Sequence, residues 1–193
     1  MRETGRPGPV QQSGGSRLFL GVVLAGSLAL IGTGLYGFFR NPGGLEPLQA
    51  AERPLPAAPH FSLPDLEGRS RSLAEFLGKK PVLLEFMDLD CPHCLEMAPI
   101  LTRLHDAYGT RVQFLTVAFD SRRNTRRVRA FAEHHRHGWP YLMGSQDVVR
   151  VYGLEGVPAF FLVTRDGRIA GFQVGSTSYE AMSRGIESVL VGP

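Results

Sequence analysis

The sequence predicts an α/β domain in which a mixed central sheet carries helices on both faces, preceded by a single transmembrane helix. Apolar strand-like segments alternate with segments of helical periodicity from about residue 60 onwards. Asp166-Gly167, the strongest short turn signal in the chain, joins two strand-like segments into a hairpin that precedes a final helix. Residues 18–39 are 22 consecutive positions without a charge, long enough as a helix to cross a bilayer.

Composition limits the chain to one ordinary globular domain with an appendage. It has 193 residues, 43% of them hydrophobic, which is enough for one buried core. The net charge of +3 is too small to indicate nucleic-acid binding, and no nucleic-acid motif accompanies it. The only two cysteines lie in one motif, so no disulfide framework holds the fold together.

The first 59 residues divide into three segments. Residues 1–17 are rich in Gly, Pro, Gln and Ser and are predicted to be a disordered cytoplasmic tail. Residues 18–39 are predicted to be an uncleaved signal anchor, because the apolar core is long for a signal peptide and no small-residue cleavage site follows it. Residues 40–59 contain five prolines and predict an extended linker. The globular domain is therefore expected to cover residues 60–193.

The first half of the globular region has clear element boundaries. Residues 61–69 predict a short strand and turn, and Ser72 with Glu75 predicts a capping box for a short helix. The apolar segment 81–87 predicts a buried strand. Residues 91–108 place apolar side chains at helical spacing, so a helix is expected directly after that strand.

The second half continues the alternation. Residues 111–119 predict a second buried strand, and residues 121–137 predict a helix with its apolar side chains facing inward. The short segments 141–143 and 146–152 predict a strand and a helix. The chain is expected to close with hairpin strands at 157–164 and 168–174 and a helix at 179–191. This order predicts a mixed sheet covered on both faces.

The segment that ends the first central strand carries the chemistry. Cys91 and Cys94 stand at the start of the following helix with two residues between them, and one helical turn brings two such sulfurs within bonding reach. Unpaired backbone N–H groups and the positive end of the helix dipole favour the thiolate at this place. Because the thiolate is the nucleophile, the motif indicates a redox dithiol in which Cys91 attacks and Cys94 resolves.

Two other interpretations of the motif are weaker. A zinc site needs four ligands, usually from a second Cys or Cys/His pair, and the chain has no second Cys pair. A structural disulfide usually closes a longer loop, since a two-residue spacer stabilises little through loop entropy. A redox dithiol is therefore the preferred interpretation.

From about residue 60 to residue 190 the chain resembles the thioredoxin superfamily. It looks most like the membrane-anchored TlpA/ResA-type thiol–disulfide oxidoreductases of bacteria. The features that carry the match are the strand–Cys91-Pro92-His93-Cys94–helix order, Glu85 six residues before Cys91, the segment 156–163, and the segment 165–169 with Val174-Gly175 after it. The resemblance implies a thioredoxin-like three-layer sandwich.

The resemblance also implies roles for individual residues. Val157–Pro158 would be a cis peptide beside Cys91 that holds a substrate strand through backbone hydrogen bonds. Glu85 would be a buried carboxyl group that takes the proton of Cys94 when Cys94 attacks the mixed disulfide. Alternation along the strand does not by itself decide which face of the sheet Glu85 occupies.

The residues around the cysteines give opposing indications about redox potential. Pro92 and His93 resemble the pair in the disulfide oxidase DsbA, and a protonated His93 would stabilise the thiolate and make the disulfide more oxidising. Only 63 residues separate Cys94 from Pro158, which leaves little room for the helical domain that such oxidases insert. Asp90 stands where related proteins commonly carry Trp, and a carboxylate there opposes thiol ionisation. The direction of electron flow stays open.

Three other groups of side chains are interpreted as structural. The basic residues are expected to form the solvated face of a helix rather than a patch for lipid or an acidic partner; they are Arg122, Arg123, Arg126, Arg127 and Arg129. A histidine group near a helix end suits the helix dipole; it comprises His134, His135 and His137. Three methionines are expected in the core rather than as copper ligands; they are Met87, Met97 and Met143. No metal site is predicted.

The preferred function is a membrane-tethered, extracytoplasmic thiol–disulfide oxidoreductase whose only redox group is the Cys91–Cys94 disulfide. It would span the cell membrane once, with a cytoplasmic N-terminus, because such a dithiol needs partners in a compartment where disulfides persist. Those partners would be protein thiols or disulfides and a membrane redox protein that recycles the enzyme. A copper-binding module and a thiol peroxidase remain as alternatives. The resemblance to peroxidases of this fold is incomplete, because they place a Thr upstream of the reactive Cys and this chain has Asp88 at that position.

Overall fold

The computed structural model describes residues 46–47, 55–120 and 124–191. No helix within these ranges is both long and apolar enough to cross a bilayer. The predicted tail, the predicted span at residues 18–39 and most of the predicted linker lie outside the described residues.

The elements alternate as the sequence predicts. In chain order they are β1 (Glu46–Pro47), β2 (Ser62–Pro64), β3 (Ser70–Ser72), a 3₁₀ helix (Leu73–Phe76), β4 (Val82–Asp88), α1 (Pro92–Tyr108), β5 (Gln113–Phe119), α2 (Thr125–His134), β6 (Tyr141–Met143), α3 (Gln146–Tyr152), β7 (Ala159–Val163), β8 (Ile169–Val174) and α4 (Tyr179–Val191).

Six of these strands form one mixed sheet in the order β1-β8-β7-β4-β5-β6, and β2 and β3 form a separate hairpin. Strands β4, β5 and β6 are parallel, whereas β7, β8 and β1 each run antiparallel to their neighbours. The predicted mixed sheet is therefore confirmed, and β4 lies at its centre.

Both faces of β4 are buried, which explains its continuous apolar sequence. Leu83 and Met87 lie in one apolar cluster with side chains from α1, α2 and α4. Leu84 and Phe86 lie in a second cluster with the 3₁₀ helix and α3. Glu85 follows the alternation of Leu83 and Met87, so it points toward α1.

Helix α2 is shorter than the predicted 121–137. Asn124 is its N-cap, and the Asn124 side chain accepts hydrogen bonds from the backbone N–H groups of Arg126 and Arg127. Asn favours this position because its side-chain oxygen satisfies N–H groups that have no partner in the helix. The helix ends at His134, and Arg136 takes a left-handed conformation with φ of 56°, which turns the chain toward β6.

The described part of the predicted linker lies against the sheet. The Ile169 N–H donates to the carbonyl of Pro56, and Ala57 forms an isolated antiparallel β-bridge with Arg168. Ala58 is only 3% exposed. Strand β1 also pairs with β8, at the edge of the sheet. Extended, proline-containing segments can add to an edge because Pro is tolerated there. The packed domain therefore begins before residue 60.

Candidate active site

Cys91 sits at the junction of β4 and α1. Its N–H donates to the carbonyl of Asp88 in a tight turn, and its own carbonyl accepts from the N–H groups of Cys94 and Leu95. Cys91 is the N-cap of α1, and Pro92 follows at the first helical position, where a missing N–H is no loss. The turn therefore holds a half-buried thiol at the positive end of a helix.

Cys94 lies behind Cys91 and is buried. The backbone N–H of Asp88 donates to the Cys94 sulfur at 3.4 Å. Burial is the main cause that raises the pKa of the Cys94 thiol. The hydrogen bond from the Asp88 N–H lowers this pKa, whereas contact with Cys91 and the charge of Glu85 raise it further. Cys94 therefore stays protonated until a base removes its proton, which suits a thiol that reacts second.

Glu85 is the buried base candidate. It is 4% exposed, and one of its carboxylate oxygens accepts a hydrogen bond from the hydroxyl of Thr116 at 2.7 Å. Burial raises the pKa of Glu85 from an ordinary value of 4.5 to about 7, although the Thr116 hydroxyl opposes this shift. A carboxyl group with this pKa can both accept and release a proton near neutral pH.

The Val157–Pro158 peptide is cis, as the resemblance implies. The Cys91 thiol donates to the carbonyl oxygen of Val157 at 3.5 Å. Pro158 is buried and Val157 is half-buried. The structure thus brings together the two cysteines and the cis peptide, and Glu85 lies close enough for its charge to raise the pKa of Cys94.

His93 lies at the surface of the same site. Its Nδ1 is 3.2 Å from a carboxylate oxygen of Glu96, one turn along α1. The two side chains are 67% and 63% exposed. Glu96 was not singled out from the sequence, although the spacing of three residues on a helix indicates such a pair.

Arg127 is a further residue that sequence reasoning missed at this site. One guanidinium nitrogen donates to the carboxylate of Asp90, immediately before Cys91, at 2.8 Å. Another donates to the carboxylate of Asp120 at 2.5 Å. The arginine therefore offsets the negative charge that Asp90 places beside the Cys91 thiol. Arg127 was predicted to face solvent within a run of arginines, and no local signal separates it from its neighbours.

Residues 55–172 match the sequence profile of the AhpC/TSA family. The chain belongs to the AhpC/TSA family. It is 31% identical over 134 residues to the thiol-disulfide oxidoreductase ResA of Geobacillus thermodenitrificans, covering 68% of this chain and 75% of that protein. It is 29% identical over 131 residues to the thioredoxin-like protein YneN of Bacillus subtilis, covering 67% and 76%.

The fold of this AhpC/TSA domain is thioredoxin-like. A thiol:disulfide interchange protein of the thioredoxin family from Chlorobium tepidum superposes with a TM-score of 0.63 at 21% identity, covering 72% of this chain and 99% of that one. The predicted fold class is therefore confirmed for the globular domain. The predicted enzyme class, thiol–disulfide oxidoreductase, is confirmed by the ResA relative.

The histidines, methionines and arginines that were interpreted as structural in the sequence can now be placed in this AhpC/TSA domain. Both ring nitrogens of His137 lie within hydrogen-bonding distance of protein oxygens. Among the described residues, no group of three or more His, Cys, Asp or Glu side chains is arranged to hold a metal. Met87, Met97 and Met143 are buried in the core. Arg129 pairs with Glu67, and Arg122 and Arg123 lie outside the described residues.

Proposed function

We propose that the chain exchanges disulfides with partner proteins outside the cytoplasm through the Cys91–Cys94 dithiol. One observation carries the proposal. The half-buried Cys91 thiol lies between a helix N-terminus and the carbonyl of Val157, 3.5 Å away, and the buried thiol of Cys94 contacts it from behind. The front thiol can meet a large substrate, whereas the rear thiol can meet only Cys91.

The reducing direction takes two displacement steps. The Cys91 thiolate attacks one sulfur of a partner disulfide, that S–S bond breaks, and the other partner sulfur leaves as a thiolate. Cys94 then gives its proton to the Glu85 carboxylate and attacks the Cys91 sulfur. The second partner sulfur leaves, the Cys91–Cys94 disulfide forms, and two electrons have passed to the partner. Oxidation of a partner dithiol is the same sequence in reverse.

The backbone beside Cys91 is proposed to bind a polypeptide substrate. In the proposal, a partner strand lies along Val157–Pro158 and forms backbone hydrogen bonds there. Pro92 fixes the first turn of α1 below the nucleophile. His93, exposed beside Glu96, is proposed to tune the stability of the reduced form, since a cationic ring near Cys91 favours its thiolate.

A membrane tether is part of the same proposal. The 22 uncharged residues at 18–39 support a single span with the N-terminus in the cytoplasm. Such a tether would keep the domain near a membrane redox protein that recycles it, in a compartment where disulfides persist.

The experiment is disulfide reduction by membranes from bacteria that express the full chain. We expect the membranes to accelerate reduction of insulin by dithiothreitol, and the activity to remain after a carbonate wash that removes peripheral proteins. Membranes with the Cys91→Ala variant serve as the control and should add nothing to the uncatalysed rate. Equal rates with both membranes would contradict the proposed exchange, and activity only in the wash would contradict the tether.

The alternative functions give different results in the same preparations. Stoichiometric Cu(I) binding without accelerated disulfide exchange would favour a copper-binding module. Oxidation of Cys91 by peroxide much faster than exchange with a protein disulfide would favour a thiol peroxidase.

A further inference from the structure

A bridge of charged side chains joins the turn before Cys91 to the start of α2. One guanidinium nitrogen of Arg127 donates to the carboxylate of Asp90 at 2.8 Å, and the other donates to the carboxylate of Asp120 at 2.5 Å. The Asp90–Arg127–Asp120 bridge therefore connects the residue next to Cys91 with the residue that follows β5 and with the first turn of α2.

Asp120 is the fixed end of this bridge. Its side chain is fully buried, and its second carboxylate oxygen accepts a hydrogen bond from the backbone N–H of Asn124, the N-cap of α2, at 2.7 Å. A buried carboxylate is costly unless it is paired and hydrogen-bonded, so the fold requires the contact between Arg127 and Asp120. That requirement holds the guanidinium in place.

Asp90 is the exposed end of the bridge. Its side chain is 51% exposed, so the fold does not require a partner for it, and exposed ion pairs contribute little to stability. Asp90 is nevertheless held twice, because its N–H donates to the carboxylate of Asp88 at 2.7 Å and its own carboxylate accepts from Arg127. The effect of the bridge on the neighbouring Cys91 explains this contact better than the stability of the fold does.

The position of Arg127 is unusual for a helix. It lies in the first turn of α2, next to the positive end of the helix dipole, and that turn contains no acidic residue. A cation is disfavoured at this end of a helix, so the sequence departs here from the usual pattern. Such departures are expected at functional sites, and the two carboxylates of the bridge compensate for this one.

The backbone of the turn is also tied to β5. The N–H of Leu89 donates to the carbonyl of Phe119, the last residue of β5, at 3.4 Å. This bond fixes the path of the backbone before Cys91, whereas the bond to Arg127 orients the Asp90 carboxylate. The bridge therefore adds side-chain order to a turn whose backbone is already held.

We propose that Arg127 is a positioning residue for thiol–disulfide exchange: anchored on Asp120, it holds the Asp90 carboxylate, compensates its charge and thereby sets the equilibrium between dithiol and disulfide. The inference rests on the proposed function, because that equilibrium matters only if Cys91 and Cys94 exchange disulfides with partners. Arg127 acts through Asp90 rather than on the sulfur atoms.

The sign of the effect follows from the charges. When two glutathione thiols reduce the Cys91–Cys94 disulfide, its S–S bond breaks, each cysteine sulfur gains an electron pair that holds a proton or stays as a thiolate, and the glutathione sulfurs form a disulfide. A negative charge beside Cys91 disfavours its thiolate and with it the reduced form. Arg127 compensates the charge of Asp90, so the disulfide is easier to reduce with Arg127 than without it.

The test measures the equilibrium constant for reduction of the Cys91–Cys94 disulfide in the full chain by glutathione at about pH 7. We expect Arg127→Met to lower this constant about fivefold, because the Asp90 carboxylate is then uncompensated. Asp90→Asn should raise it by a similar factor. The double variant, which lacks both charges, should return it to within about twofold of the wild-type value.

Arg127→Lys separates position from charge, and it serves where Arg127→Met fails to fold around the unpaired Asp120. An ammonium group keeps the positive charge but lacks the planar fork that reaches two carboxylates at once, and the buried Asp120 retains it. We expect this variant to lower the constant about threefold. The effect should disappear when Asp90→Asn is also present, since no carboxylate then remains at the exposed end of the bridge.

Arg129→Met is the matched control. Arg129 lies on the same helix and pairs with Glu67 at 2.9 Å, and both of these side chains are partly exposed. The substitution removes the same charge and one ion pair, but on a different part of α2. It should leave the equilibrium constant within about twofold of the wild-type value.

The possible failures are distinguishable. An equilibrium constant that is the same in Arg127→Lys and wild type, or that falls equally with and without Asp90, would overturn the role of Arg127 and leave the proposed function intact. A wild-type chain in which Cys91 and Cys94 form no disulfide at any glutathione ratio would overturn the proposed function, and the inference with it.

Discussion

Cys94→Ala is expected to convert the chain into a trap for its disulfide partners. Cys91 remains at the N-cap of α1 and still attacks, but the sulfur that resolves the mixed disulfide is gone. An intramolecular thiol acts at an effective concentration far above that of free thiols, so release of the partner should slow by about a thousandfold. Non-reducing electrophoresis of cells that express this variant should show covalent complexes, which dithiothreitol dissolves.

Cys91→Ala is the matched control for the trap. It removes the front thiol and leaves Cys94 buried behind the turn, where a partner protein cannot reach it. We expect no covalent complexes with this variant. Complexes that form equally with both variants, or with neither, would contradict the assignment of Cys91 as the attacking thiol.

Glu85→Gln is expected to slow the resolving step and to stabilise the fold. Without the carboxylate, the Cys94 thiol has no base beside it, so displacement by Cys94 should slow by about a hundredfold near neutral pH. In the wild-type chain this step should accelerate as the pH rises through about 7, the pKa of Glu85. The variant should lose that inflection, which rapid-mixing measurements across the pH range will show.

Glu85→Gln is expected to raise the free energy of unfolding, although it slows the resolving step. Because burial raises the pKa of Glu85 from 4.5 to about 7, the folded chain binds the proton more tightly than the unfolded chain, and stability falls as the pH rises from about 4.5 to about 7. Above that range the wild type carries the whole cost of a buried charge. Glu85→Gln should therefore be more stable at about pH 8, by about 1–3 kcal/mol.

Glu96→Gln is the control for this substitution. It makes the same chemical change on the exposed face of α1, so it should leave both the resolving rate and urea denaturation nearly unchanged. A Glu85→Gln variant that resolves mixed disulfides at the wild-type rate, or that is less stable than wild type at about pH 8, would contradict the role given to the buried carboxyl group.

Local signals predicted most of the fold. The Ser72–Glu75 capping box and the hairpin turn at Asp166-Gly167 are decided by residues close in sequence, and both are present in the structure. The dithiol is equally local, because a strand followed by a two-residue spacer at a helix start fixes both sulfurs. The first and last residues of α2 were harder to predict, since the capping Asn124 lies inside the segment that was expected to be helical.

Long-range pairing explains what the sequence could not predict. Alternation leaves the face of Glu85 undecided because β4 is buried on both sides, and its neighbours come from other strands. Thr116 meets Glu85 only because β4 and β5 pair in this register. Arg127 reaches Asp90 across 37 positions of sequence. None of these contacts leaves a periodic pattern in the chain.

The most direct measurement is a redox titration of the full chain with mixtures of reduced and oxidised glutathione, followed by alkylation and mass spectrometry. We expect Cys91 and Cys94 to lose their reactivity together in one two-electron transition, with an oxidised form that is lighter by two hydrogens. A midpoint of about −120 mV would indicate an oxidant, and one below about −250 mV would indicate a reductant. If either cysteine stayed open to alkylation at every ratio, or took up glutathione without closing to its neighbour, the dithiol would not be the redox group of this protein.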